Sequence, residues 1–119
     1  MSFQVMGTSF KRKFPRRQFH RSIGFLFNGN YLVGSGSEIG EGGLSLLVPS
    51  NHPIEKEAVL SFQIPNGSFI CVRVEIRNAV KDKKNGFFIL GCAYKNLTFE
   101  HKREIRSYVS ARSEQEQIQ

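Results

Sequence analysis

Arginine is the residue type here with most to offer a ligand. Arg16, Arg17 and Arg21 stand in RRQFHR, just after Lys11, Arg12 and Lys13, so that KRKFPRRQFHR carries six cations and no carboxylate over residues 11 to 21. A guanidinium is a planar fork that pairs bidentately with a phosphate or with the O6 and N7 edge of guanine, and it also stacks on base planes; lysine offers a point charge alone. Each such bidentate base contact discriminates by roughly 1–3 kcal/mol. The segment therefore suits a nucleic-acid backbone, an anionic membrane surface or a small anionic ligand, and composition leaves the three open.

Other chemistries find little support. The chain has a single Asp, Asp82, in a charged turn; His20, His52 and His101 lie apart in an arm, a loop and a helix, and His20, next to Arg21, has no sequence-near carboxylate to orient it as a general base. We therefore expect no catalytic residues. Cys71 and Cys92 lack metal-ligand spacing and are too few for a disulfide framework. The glycine-rich GSGSEIGEGG fails both phosphate-loop patterns: Ile39 stands where a dinucleotide fingerprint needs Gly, and Glu41 follows Gly40 where a nucleotide-triphosphate loop needs Lys. It reads as a bend or connection between strands.

A chain of 119 residues, 39% apolar and with eleven Phe, suits one domain with a modest core. Its net charge of +7 is local, because the first 37 residues hold six cations and no acid, and the other 11 cations face 10 acids. The start lacks a cationic head with an apolar run, and no stretch of roughly 18 apolar residues occurs, so we expect a cytoplasmic protein without a membrane span.

Residues 1–13 read as a flexible basic arm, with Pro15 blocking a helix into the arginines. Ser22 to Phe27 and Tyr31 to Val33 flank Asn28-Gly29, a type I′ hairpin signal. LSLLVP, AVLSFQIP and FFILGCAY read as further strands, with turns at SNHP, Asn66-Gly67 and KDKKNG. In SFICVRVEIRNAV, Ile70, Val72, Val74 and Ile76 share one face, and Cys71, Arg73, Glu75 and Arg77 the other. If Phe88, Leu90, Cys92 and Tyr94 point inward, Cys92 is buried, Cys71 faces out and the two do not pair. The period then becomes helical: Thr98 caps, and Ile105, Tyr108, Val109 and Arg112 follow on one face. Residues 113–119 read as a disordered polar tail. Short strands with one helix predict a mainly all-β domain, a small barrel or sandwich capped by the helix.

At this point the sequence resembles the PilZ domain family, bacterial receptors for cyclic di-GMP. The family's R-x-x-x-R motif, often preceded by another Arg, matches Arg16, Arg17 and Arg21; its second motif, an Asp or Asn, then x-S-x-x-G and an apolar residue, aligns with Glu38, Gly40, Gly43 and Leu44. GCAY and the C-terminal helix fit as well, so the similarity covers residues 14–112. The resemblance implies a six-stranded antiparallel β-barrel with one C-terminal α-helix, and a non-catalytic cyclic di-GMP receptor or adaptor. On this reading the arm with Arg16, Arg17 and Arg21 closes over the nucleotide against Glu38, Gly40 and Gly43 and reshapes a surface for a partner protein.

The second motif departs from the family, with Glu38 for Asp or Asn and Gly40 for Ser. Another register, through Ser35, Ser37 and Gly40, keeps a serine but puts Glu41 where an apolar residue belongs, and we favour the first. The alternative function is a degenerate PilZ-fold interaction adaptor that does not bind the nucleotide. Nucleic acid is a weaker expectation: Phe10, Phe14 and Phe19 could stack bases beside the cations, but nothing beyond residue 21 continues that footprint, so we expect no DNA or RNA partner. A homodimer is left open.

Overall fold

The computed structural model describes residues 15–49 and 56–118, with side chains as far as residue 111. The arm expected over residues 1–13, the SNHP turn at residues 50–53 and the Arg112 side chain lie outside this description. The elements are β1 (Arg16–Gln18), β2 (Ser22–Phe27), β3 (Asn30–Gly40), β4 (Gly43–Pro49), β5 (Glu57–Gln63), β6 (Phe69–Lys81), β7 (Phe87–Lys95) and α1 (Phe99–Ile118). All pairings are antiparallel, in the order β1-β3-β2-β5-β6-β7-β4, and β3 also pairs with β4. That last pairing closes β2 to β7 into the expected six-stranded barrel. The short β1 is an addition at the rim, lying on the same edge of β3 as β2 does.

Period-2 alternation fills the barrel. Ile23, Phe25 and Phe27, Leu44, Leu46 and Val48, Leu60 and Phe62, and Ile70, Val72 and Val74 are all buried, while Cys71 and Arg73 face out. Cys92 is buried as expected, which pushes its thiol up to about 12, and Cys71 is exposed. One mouth of the barrel is plugged by Ile105 and Val109 of α1 together with Phe19. The Phe19 ring meets Phe62 and Tyr108 edge-on, with centroids 5.8 and 6.0 Å away. Phe19 therefore belongs to the core and cannot serve in a base-stacking platform.

The turns follow local chemistry. Asn28 and Gly29 both take positive φ, 48° and 78°, between paired Phe27 and Asn30, as a type I′ hairpin requires. At Ile64–Gly67, Pro65 precedes Asn66 at φ 60°, and the Gly67 N–H donates to the Ile64 carbonyl at 2.7 Å. Thr98 caps α1, its Oγ1 accepting the His101 N–H at 3.2 Å. The helix then continues to Ile118, through residues expected to be a disordered tail. Glu and Gln are good helix formers, and a capped, docked helix has already met the cost of nucleation.

GSGSEIG differs from expectation in a more informative way, because it is extended strand within β3 and contains no positive-φ glycine. Small size is what this segment needs. A Cβ on Gly36 would run into the Phe19 carbonyl oxygen, and one on Gly43 would run into the carbonyl of Cys92 on β7. Glycine lets β4 close against β7. Gly43→Ala is accordingly expected to lower unfolding free energy by about 1–3 kcal/mol, measured by urea denaturation, whereas the exposed Gly42→Ala should change it by less than about 0.5 kcal/mol. Thr98→Ala should cost about 1 kcal/mol in the same assay.

Candidate ligand-binding site

Two register shifts shape the outer wall of the barrel. In β3 the pairing with β4 slips between Gly36 and Glu38, and in β6 the pairing with β7 slips between Ile76 and Asn78. Bulges of this kind bend a strand and re-aim its side chains. Between them a row of partners runs across five strands: Gln18 opposite Glu38, Glu38 opposite Ser45, Ser45 opposite Gly91, and Gly91 opposite Asn78. Above the glycines of this wall lies a cavity of about 380 Å³, lined by Arg16, Gly40, Gly43, Ser45, Arg77 and Asn78 among others. Its size lies within the usual range for small-ligand sites, about 300–1,000 Å³.

The expected site residues are distributed unequally. Arg16, Gly40 and Gly43 line this cavity. Glu38 stands beside it, with Oε1 3.8 Å from Arg16 Nη1 and its backbone N–H donating to Ser45 Oγ at 3.2 Å. Both charged side chains are nearly two-fifths exposed, at 38% and 37%. Gly40 lies opposite Arg16, and a Cβ there would sit 3.0 Å from the Pro15 carbonyl oxygen and 3.1 Å from Arg16 Cγ.

Arg17 and Arg21 point elsewhere. Successive residues of a strand face opposite ways, so Arg17 turns from the cavity toward α1. Its Nη1 donates to the Tyr108 carbonyl at 3.0 Å, and its Cζ lies 4.0 Å from the centre of the Tyr108 ring. The Tyr108 hydroxyl in turn donates to the Gln18 carbonyl at 3.4 Å. After β1 the chain breaks to bury Phe19, and Arg21 emerges on another face, in a hollow with Tyr31, Val33 and Phe69. The arginine motif thus spans a cavity wall, a helix contact and a second hollow.

Three contributors were missed in the sequence. Ser45 belongs to an ordinary strand pattern and carried no signal. Arg77 and Asn78 did carry one: alternation through Ile76 requires an apolar residue at 78, and the polar Asn78 marks the bulge. A further tie joins the β3–β4 turn to α1, where Arg106 donates from Nε and Nη2 to the two carboxylate oxygens of Glu41. That fork holds the Glu41 carboxyl below its usual range and raises Arg106. Beneath the same corner, the Tyr94 hydroxyl is buried with no hydrogen-bond partner among the described residues, and burial raises its pKa while Arg16 opposes the shift.

Among the described residues no group of three His, Cys, Asp or Glu could hold a metal, and no helix is long and apolar enough to cross a membrane. Comparison with known proteins is specific about family. The PilZ domain profile matches residues 10–111. Among solved structures, the Bacillus subtilis inhibitor of motility MotI/DgrA superimposes with a TM-score of 0.78 at 13% identity, covering 87% of this chain and 51% of that one. The PilZ domain of Escherichia coli YcgR, solved with c-di-GMP, gives 0.63 at 14% identity, covering 91% and 97%. Borreliella burgdorferi PlzA in complex with c-di-GMP gives 0.62 at 16%, covering 85% and 42%. The chain thus spans about half the length of MotI/DgrA and of PlzA. No curated protein matches significantly. With its barrel, its helix and the profile match over most of its length, the chain belongs to the PilZ domain family.

Proposed function

We propose that the chain is a non-catalytic receptor or adaptor for cyclic di-GMP, acting in the bacterial cytoplasm through a protein partner. The observation that carries this reading is Arg16 beside Glu38 at the edge of a glycine-floored cavity of nucleotide size. Family members YcgR and PlzA have been solved with this ligand. A guanidinium and a carboxylate together match guanine, whose O6 and N7 accept and whose N1 and N2 donate, and the remaining arginines suit the phosphates.

Arg17 supplies the switch in this proposal. To reach the nucleotide it must leave Tyr108, giving up a charged hydrogen bond of about 1.5–3 kcal/mol and a cation–π contact of roughly 0.5–1 kcal/mol. Binding must outweigh that loss, and in doing so it frees the face of α1 that Arg17 holds. Nucleotide is thereby coupled to a surface that a partner could read. Arg21 would swing in from its hollow by a separate side-chain movement, since Phe19 between the two arginines is held in the core.

A second reading keeps the fold and drops the nucleotide, leaving an adaptor that works by protein contact alone. Two observations favour it: Arg17 is already committed to α1, and Gly40 offers no hydroxyl.

The two are separated by displacement of a fluorescent cyclic di-GMP from the chain, with GTP as control. On the receptor reading Arg17→Ala and Arg21→Ala each weaken binding about tenfold or more, and Lys11→Ala changes it by less than about twofold. Equal small losses in all three would leave only diffuse electrostatics, and no displacement would leave the adaptor. Tyr108→Leu, which keeps apolar bulk and removes the cation–π contact, should tighten binding by about two- to fivefold. Gly40→Ser should also tighten it, since the Arg16 stem is flexible and Pro15 lies just outside the three-residue β1, so both can yield by the few tenths of an ångström required. A fall in affinity would show that the hydroxyl does not face the ligand.

A further inference from the structure

The far wall of the cavity lies outside both arginine and glycine motifs. There β6 slips its register by one residue, and the bulge turns Arg77 and Asn78 toward the cavity that Arg16 lines from β1. Without the slip, strict alternation would place an inward residue at position 78. Among the described residues Arg77 is held by a polar contact to Glu75, its Nε donating to Oε1 at 2.9 Å, and its side chain is 63% exposed. An exposed pair of this kind adds little to stability, so the fold does not require an arginine here. The terminal nitrogens are the part of the fork that a phosphate engages.

Asn78 closes over the floor. A Cβ on Gly91 would lie 2.8 Å from Asn78 Oδ1, 3.0 Å from Nδ2 and 3.1 Å from Cγ, so the carboxamide lies close above Gly91, with Ser45 next in the row. A carboxamide places a donor and an acceptor side by side. The guanine edge places the O6 acceptor beside the N1–H donor in complementary order.

We propose that Arg77 and Asn78 form a second recognition wall of the nucleotide site, Arg77 binding a phosphate and Asn78 reading the guanine edge, and so offset the hydroxyl that Gly40 lacks. This rests on the cyclic di-GMP reading above and assigns that site residues outside the family motifs. Five strands at about 4.8 Å spacing put β1 and β6 roughly 19 Å apart along the sheet. Both arginines reach inward from those ends, leaving a gap that a two-base cyclic ligand can bridge.

The test is titration calorimetry of the full chain with cyclic di-GMP and, separately, cyclic di-AMP. Arg77→Ala should weaken cyclic di-GMP binding by about tenfold, while Arg73→Ala, an exposed arginine on the same strand outside the cavity, should change it by less than about twofold. Asn78→Ala should reduce the preference for cyclic di-GMP over cyclic di-AMP, because it removes the group that distinguishes O6 from an amine. Melting temperatures near wild type would show that the variants fold. If wild type binds and Arg16→Ala weakens binding, but Arg77→Ala and Asn78→Ala alter neither affinity nor preference, the second wall is wrong and the nucleotide reading stands. Equal losses for Arg73→Ala and Arg77→Ala would also overturn it. A wild-type chain that binds neither nucleotide overturns both.

Discussion

The seam where β4 meets β7 depends on a missing side chain. Gly43 sits so close to the Cys92 carbonyl that no Cβ fits between them, and that approach lets β3, β4, β7 and β6 run as one continuous curved wall. Because the wall is continuous, side chains far apart in sequence fall into one row. Glu38, Ser45 and Asn78 come from three strands, and Gly91 keeps the floor between them low. Gly43 thus matches the family motif for a packing reason, and its contribution to any ligand is the space it leaves.

The adjacent Arg16 and Arg17 divide the work of the rim. Strand alternation sends one to the cavity and the other to α1, so a movement of β1 must be felt in both places. β1 is suited to moving, since it is three residues long and, among the described residues, pairs with β3 alone. Phe19 is its opposite: buried against Phe62 and Tyr108, it anchors the chain immediately beyond. On the proposed function, a short yielding strand against a fixed aromatic hinge couples ligand to helix, and the Glu41–Arg106 pair adds a second tie between the cavity corner and α1.

What the sequence made legible was local. Asn28-Gly29, Thr98 and the alternation from Ile70 to Val74 carry their structure in the identity of near neighbours, and the opposite facing of Cys71 and Cys92 followed from that alternation. Glycines 34, 36 and 40 misled because glycine marks both bends and close approaches, and only the tertiary neighbours Phe19, Leu47 and Pro15 decide between them. The spacing of Arg16, Arg17 and Arg21 identified the motif but not the facing of each side chain, which depends on the break that buries Phe19. At Asn78 the clue was present as a fault in an otherwise regular pattern. Such faults are where a strand has been re-aimed, and here the re-aimed residues line the cavity.

On the proposed function, nucleotide enters this cavity and draws Arg17 from the helix. Backbone amide chemical shifts recorded during addition of cyclic di-GMP would test it most directly. Selective, saturable shifts are expected at Gly40, Ser45, Gly91 and Asn78, together with shifts around Tyr108, none of them produced by GTP at equal concentration. Absence of shifts at the cavity residues up to about a millimolar ligand, where binding would be worth only about 4 kcal/mol, would contradict it.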